Sequence, residues 1–228
     1  MRELSRLAFV GFVAALGFGP TVAEANLVQT NLVSDISGLA LETDPNLHNP
    51  WGMAYSGMSP FWVSDQASDT STLYNALGTP VTQALVVNIP TAGIGPPTGP
   101  TGQAFNSTSS DFMIPAAGGG TVKPIFLFDT LDGTIQGWNP GSAAGMTSSE
   151  LVAPPVPGAV FTGLALGSSG GANYLYAANA AGGITVFDGT FKNVTSTTFA
   201  GKFVDPNPVA GFTPFNIQRL SNGNLFVT

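Results

Sequence analysis

His48 is the first candidate for chemistry, because it is the only histidine among 228 residues. The sequence contains no cysteine, which excludes disulfide bonds, thiol catalysis and cysteine-ligated metals. A single imidazole can act as a general base or contact a ligand, but no second histidine or matched carboxylate lies near it in sequence. The alternative is a loop histidine that bonds only to backbone.

Aromatic and amide side chains supply the other candidates. Asn49 and Trp51 follow His48 directly, and Asn216 occupies a similar segment much later in the chain. Tryptophan rings stack on sugars, but they also pack in cores, which is the favoured role for Trp51 and still more for Trp62. Two neutral amides would make a weak Ca²⁺ site, because Ca²⁺ prefers carboxylate oxygens. The candidate ligand-binding residues are therefore His48, Asn49, Trp51 and Asn216, with no cofactor and no assigned metal ligand.

Composition excludes several classes of protein. Charged residues make up 8% of the chain, and 6 Lys and Arg against 13 Asp and Glu give a net charge of −7. A nucleic-acid partner is excluded because its binding requires a basic patch. The 43% of hydrophobic residues are enough to build a core. The expected partner is a surface or extracellular ligand, either carbohydrate or protein.

The N-terminus predicts export. Arg2 and Arg6 precede an uncharged apolar run at 7–18, and Ala23-Glu24-Ala25 follows as a cleavage site. The run is too short for a membrane span, which needs about 20 apolar residues, and no later stretch could span a bilayer. We expect a signal peptide at 1–25, cleaved after Ala25, one domain at 26–228, and a location outside the cell or in its envelope.

These candidates must be positioned by a repeated element. Four similar segments can be aligned on Gly52, Gly102, Gly163 and Asn216, which are 50, 61 and 53 residues apart. Short apolar runs bounded by Gly, Asn and Asp follow each of them, and such runs are typical of β-strands. These runs are Phe61–Asp65 and Thr72–Asn75, Phe126–Asp129 and Gly133–Asn139, Tyr174–Asn179 and Gly183–Asp188, and Asn224–Val227.

A fourth strand in each unit is predicted at Val81–Ile89 and at Phe199–Val204. Units of about 40–60 residues, each a four-stranded meander, indicate the blades of a β-propeller. A β-sandwich with accidental internal similarity is the alternative.

The third unit resembles an NHL repeat, the blade of a class of six-bladed propellers. The resemblance is carried by Gly163-Leu164-Ala165, Tyr174–Asn179 and Gly183–Asp188. More closely, the chain from about Leu32 onwards resembles a family of uncharacterised secreted bacterial proteins, some of which carry a PEP-CTERM sorting signal. The segments that carry this second resemblance are Leu47 with Asn49–Gly52, Ser59–Asp65, Ser71–Asn75, Phe126–Phe128, Asp132–Asn139 and Pro214–Gln218.

The resemblance implies an all-β, six-bladed NHL-like propeller, present here as an N-terminal fragment of about three and a half four-stranded blades. It also implies two expectations at the ends. Residues 26–34 should be a closing strand without its native partner, and Leu225–Thr228 should form a hairpin with Phe215–Leu220 around Asn222-Gly223.

The favoured function is a non-enzymatic ligand-binding, partner-binding or scaffold role for an exported protein. The alternative is a Ca²⁺-dependent hydrolase of the lactonase type, since related six-bladed propellers hold a central Ca²⁺ with Glu, Asn and Asp side chains. The residues just before the aligned positions are Trp51, Thr101, Thr162 and Phe215. None is acidic, so the missing blades would have to supply the carboxylates.

Overall fold

A computed structural model describes residues 29–75, 83–92 and 98–228. The expected signal peptide at 1–25 lies outside these residues. Residues Asn31–Thr228 form one compact unit, and all the strands that the structure describes belong to it. The described part is all-β apart from a short 3₁₀ turn at Gln66–Ser68.

Two short strands precede the main sheets. β1 (Val33–Ser34) pairs in parallel with β2 (Glu42–Thr43). Of the predicted closing strand, the structure describes residues 29–34. Val33 and Ser34 pair with Glu42 and Thr43, because the chain turns back after β1. The hydroxyl of Tyr74 donates to Oδ2 of Asp44 at 2.7 Å, which ties this segment to the first main sheet.

The first two main sheets are four-stranded and antiparallel. Sheet 1 has the order β3 (Pro50–Ala54), β4 (Phe61–Asp65), β5 (Thr70–Tyr74), β6 (Gln83–Asn88). Sheet 2 has the order β7, β10, β11, β12, and the short hairpin of β8 and β9 is inserted between its first two strands. Their bounds are β7 (Pro100–Phe105), β8 (Ile114–Pro115), β9 (Thr121–Val122), β10 (Phe126–Thr130), β11 (Ile135–Trp138) and β12 (Glu150–Ala153).

The next two sheets are smaller. Sheet 3 consists of β13 (Phe161–Ser169), β14 (Ala172–Asn179) and β15 (Ile184–Asp188), and sheet 4 of β16 (Ile217–Arg219) and β17 (Leu225–Val227). The predicted hairpin around Asn222-Gly223 is confirmed: β16 pairs antiparallel with β17, and Gly223 has a φ of +87°, which glycine adopts without strain.

The predicted strand at Phe199–Val204 is wrong. After β15 the carboxylate of Asp188 accepts hydrogen bonds from the amides of Thr190 and Lys192, so the chain reverses at once. The fourth position of sheet 3 is reduced to one bridge between Phe187 and Asn193. Phe199 packs edge-on against Tyr174 instead, with ring centroids 4.8 Å apart. In sheet 1 the predicted fourth strand is confirmed as β6.

Apolar layers separate successive sheets, and β10 shows how. Phe126 and Phe128 lie in the layer shared with Trp62 of sheet 1, whose ring centroid is 4.6 Å from that of Phe126. Leu127 points the other way, into the layer that contains Phe161 of sheet 3. Side chains alternate along a strand, so a strand covered on both sides must be apolar at successive positions.

The first strands of the four sheets contact one another in sequence order, β3 with β7, β7 with β13 and β13 with β16. All-β architecture with four-stranded antiparallel sheets is confirmed. Closure into six blades stays a prediction.

Candidate functional site

The aligned residues of the repeats meet where the first strands begin. Gly52, Gly102 and Asn216 border a cavity of about 280 Å³, which we call the proximal cavity. Its lining comes from sheets 1, 2 and 3 and from the segment that leads into sheet 4, and consists of Pro50, Trp51, Gly52, Thr101, Gly102, Thr162, Phe215 and Asn216. Of the four predicted site residues, the structure brings Trp51 and Asn216 together here.

Close backbone approach explains the aligned glycines. A Cβ on Gly52 would collide with the carbonyl oxygen of Thr101, and one on Gly102 would lie 2.7 Å from Cα of Gly163. A Cβ on Gly163 would in turn lie 2.9 Å from Cα of Asn216. Each aligned glycine therefore leaves the space that the next repeat occupies.

Two aromatic rings form one side of the proximal cavity. The centroids of Trp51 and Phe215 are 5.4 Å apart with an interplanar angle of 39°. Trp51 is half-buried and Phe215 is 56% exposed. Trp62, in contrast, is 2% exposed between sheets 1 and 2, which confirms its predicted core role. Sequence reasoning identified Trp51 but not its partner ring.

The polar groups of the proximal cavity are neutral. Thr101 and Thr162 contribute buried hydroxyls, and Asn216 contributes an exposed amide whose Oδ1 accepts from the backbone N–H of Ile217 at 2.7 Å. No lining side chain is ionisable. Among the described residues no group of three His, Asp or Glu side chains is arranged to hold a metal ion.

The buried carboxyl group of Asp129 lies next to Thr101. Oδ1 of Asp129 lies 2.8 Å from Oγ1 of Thr101 and accepts the N–H of Gly102 at 2.6 Å. Oγ1 of Thr101 is also 2.8 Å from the carbonyl oxygen of Phe161. A hydroxyl has one proton and can donate to only one of these acceptors.

Protonation of Asp129 satisfies both contacts, since the acid then donates to Thr101 and Thr101 donates to Phe161. Burial raises the pKa of Asp129 to about 7. In the ionised form Thr101 and Gly102 donate hydrogen bonds to the carboxylate, which offsets part of the rise. The acid, its threonine and the Phe161 carbonyl thus connect sheets 2 and 3 directly beneath the cavity.

Asp65 occupies the equivalent position at the end of β4. It is fully buried, and neither carboxyl oxygen has a hydrogen-bond partner among the described residues. Burial raises the pKa of Asp65 to about 7. Thr72 lies nearby and lowers this pKa by a smaller amount, although the Thr72 hydroxyl makes no hydrogen bond to the carboxyl group. The sequence predicts that the strand-end residues Asp65, Asp129, Asn179 and Asp188 cap turns through side-chain to backbone hydrogen bonds. That is confirmed for Asn179, whose Oδ1 accepts from the amide of Ala181, and wrong for Asp65.

His48 and Asn49 lie outside the lining of the proximal cavity. His48 is exposed, with Nδ1 3.9 Å from Oδ2 of Asp35. Asn49 has a φ of +49° and its Nδ2 donates to Oε1 of Gln66 at 2.8 Å, so it shapes the loop that leads into β3. In the described part of the chain no helix is long and apolar enough to cross a membrane.

Comparison with known proteins finds a distant relative of this chain. No family model matches the chain. It is 30% identical over 208 residues to an uncharacterized protein of Acanthamoeba polyphaga mimivirus, a match that covers 89% of this chain and 49% of the relative. The chain therefore spans about half the length of that relative.

Proposed function

We propose that this chain forms successive blades of an NHL-like β-propeller and that its first strands line the propeller axis. The contacts of β3, β7, β13 and β16 in sequence order support this, as does the close approach at every aligned glycine. In a β-sandwich, two sheets face each other across one core, whereas here three apolar layers alternate with four sheets. The number of blades and membership of the secreted bacterial family belong to the same proposal.

The proposed role is non-enzymatic binding of a neutral carbohydrate at the proximal cavity by an exported protein. One observation carries it: a half-exposed aromatic pair lies beside hydroxyl and amide groups, with no ionisable side chain in the lining. Aromatic faces and neutral hydrogen-bonding groups are suited to the apolar faces and hydroxyls of a sugar. A volume of about 280 Å³ is just below the usual range of ligand sites, which suits roughly one sugar unit.

Tryptophan fluorescence tests this role. Trp62 and Trp138 are 2% and 7% exposed, so Trp51 is the tryptophan that a ligand in the cavity can reach. Titration with neutral mono- and disaccharides should change the emission of the full chain, and Trp51→Ala should abolish the change while leaving the fold intact. Trp62→Ala should unfold the protein, because it empties a filled core position. Equal destabilisation by both substitutions would assign Trp51 to the core and remove the site.

The hydrolase alternative predicts a different result in the same titration. Stoichiometric Ca²⁺ binding, with sugar binding lost on chelation, would replace a simple binding role with the Ca²⁺-dependent one. Export is tested separately by N-terminal sequencing of the protein recovered outside the cytoplasm, where the first residue should be Asn26.

A further inference from the structure

A second cavity lies where the same first strands end. This distal cavity has a volume of about 270 Å³ and is bordered by the later residues of β3, β7, β13 and β16 with their flanks. Its lining consists of Met53, Ala54, Tyr55, Gln103, Ala104, Phe105, Ser107, Leu164, Ala165, Leu166, Gln218 and Arg219. None of these residues belongs to the proximal cavity.

Charge distinguishes the two cavities. Arg219 is the one lining side chain of the distal cavity that is charged at neutral pH, and no carboxylate lines it. Among the described residues the guanidinium group of Arg219 has no ion pair, although the whole chain has 13 acidic residues against 6 basic ones. An unpaired guanidinium presents a planar fork of donors that fits a carboxylate with two parallel hydrogen bonds.

The floor of the distal cavity carries an unmet acceptor. Nε2 of Gln103 donates to the carbonyl oxygens of Gly52, at 3.1 Å, and Trp62. Both neighbours are acceptors, so the amide orientation is fixed and Oε1 is left over. Gln103 is 7% exposed, and its Oε1 is buried without a partner. A buried acceptor without a donor costs free energy that a ligand hydroxyl can recover.

We propose that the distal cavity binds a small hydroxylated carboxylate, of which a uronic acid is the type. The carboxylate pairs with Arg219. A ring hydroxyl donates to Oε1 of Gln103 once the neighbouring lining side chains rotate, since this oxygen is covered in the free protein. The exposed ring of Tyr55, which packs against Phe61 with centroids 5.1 Å apart, covers the apolar face of the ligand. A cavity of about 270 Å³ limits the ligand to roughly one sugar unit.

The test compares galacturonate, galactose and inorganic phosphate by calorimetric titration of the full chain at low ionic strength, where a partly exposed ion pair is least screened. Galacturonate should bind at least about tenfold more tightly than galactose. Arg219→Gln should remove this preference, and Arg219→Lys should retain part of it, because lysine keeps the charge but loses the fork. Lys202→Gln is the matched control, since it makes the same charge change at an exposed residue outside the lining.

Three results would overturn the assignment: equal affinities for galacturonate and galactose, a preference that survives Arg219→Gln, or phosphate binding as tight as galacturonate binding. Trp51→Ala separates this site from the proximal one. It should abolish the response to neutral sugars and leave the Arg219-dependent preference unchanged. Unchanged thermal unfolding of Arg219→Gln shows that lost affinity is not lost structure.

Discussion

Asp129 and Asp65 are the two residues whose surroundings differ most from those of an ordinary surface aspartate. Both are fully buried and both have a pKa raised to about 7. Their positions at strand ends were visible in the sequence, but their burial was not. A strand-end aspartate faces solvent in an isolated sheet, and only the adjacent sheet, which is far away in sequence, converts it into a buried acid.

We predict that stability falls as pH rises from about 4 to about 7 and then levels off. The folded-state pKa of each acid lies above the ordinary value of 3.8. Between pH 4 and pH 7 the folded state therefore binds more protons than the unfolded state, so raising the pH through this range favours unfolding. Asp129→Asn should keep the fold, because an amide can donate to Thr101 as the protonated acid does, and should reduce this pH dependence. Urea unfolding at pH 5 and pH 8 measures the effect.

Asp188→Asn is the control for that prediction. Hydrogen bonds from Thr190 and Lys192 to Asp188 outweigh its slight burial and hold its pKa below the ordinary value, so its ionised form favours the folded state. Removal of the Asp188 carboxylate should therefore produce no gain in the free energy of unfolding at pH 8. If the difference in stability between pH 5 and pH 8 is the same in Asp129→Asn as in the unmodified protein, Asp129 is ionised in the folded protein and the prediction is contradicted.

At the scale of elements, the repeat alignment predicted most of what the structure shows. The strands containing Trp62, Phe128 and Tyr176 were all expected, because each run is short, apolar and bounded by turn residues. The same alignment placed Trp51 and Asn216 at one site, since equivalent positions of successive repeats lie side by side. It failed at Phe199–Val204, where a hydrophobic run packs as a loop over tyrosine rings instead of joining the sheet.

We predict that Gly102→Ala destabilises the chain by about 1–3 kcal/mol, the usual cost of overpacking. The new methyl carbon would lie 2.7 Å from Cα of Gly163 and closer still to the amide nitrogen of Leu164, and backbone cannot move aside as a side chain can. Gly57→Ala is the matched control, because a Cβ there meets nothing within 4 Å. Denaturant titration of both variants gives the comparison, and equal midpoints would contradict close contact between β7 and β13.

At the scale of the whole molecule, apolar surface remains uncovered on the described residues. A cavity of about 410 Å³ on sheet 1 is lined mainly by apolar side chains, among them Leu32, Val33, Phe61 and Val63. Near sheet 4, Phe212 and Phe226 are 79% and 51% exposed. The sequence predicted apolar runs on both faces of each strand, but which faces would be covered depends on the neighbours of each sheet.

We predict concentration-dependent self-association of residues 26–228, the chain without the expected signal peptide, driven by these faces. Leu32→Ser should weaken it, because the side chain borders the apolar cavity of sheet 1 and is 42% exposed. Met58→Ser removes a fully exposed apolar side chain outside that cavity and should have no effect. Sedimentation velocity over a range of protein concentrations measures the association. A monomer at every concentration would contradict the prediction.

The β8–β9 hairpin explains how the repeats can differ in length without disturbing the contacts among their first strands. Its base is anchored by Ile114, which is fully buried between sheets 2 and 3, while a Cβ at Gly118, Gly119 or Gly120 would meet no atom within 4 Å. Extra sequence at this tip would therefore project away from the cavities and from every sheet. The hairpin is a natural grafting point, where an epitope or affinity tag can be displayed while both cavities stay intact.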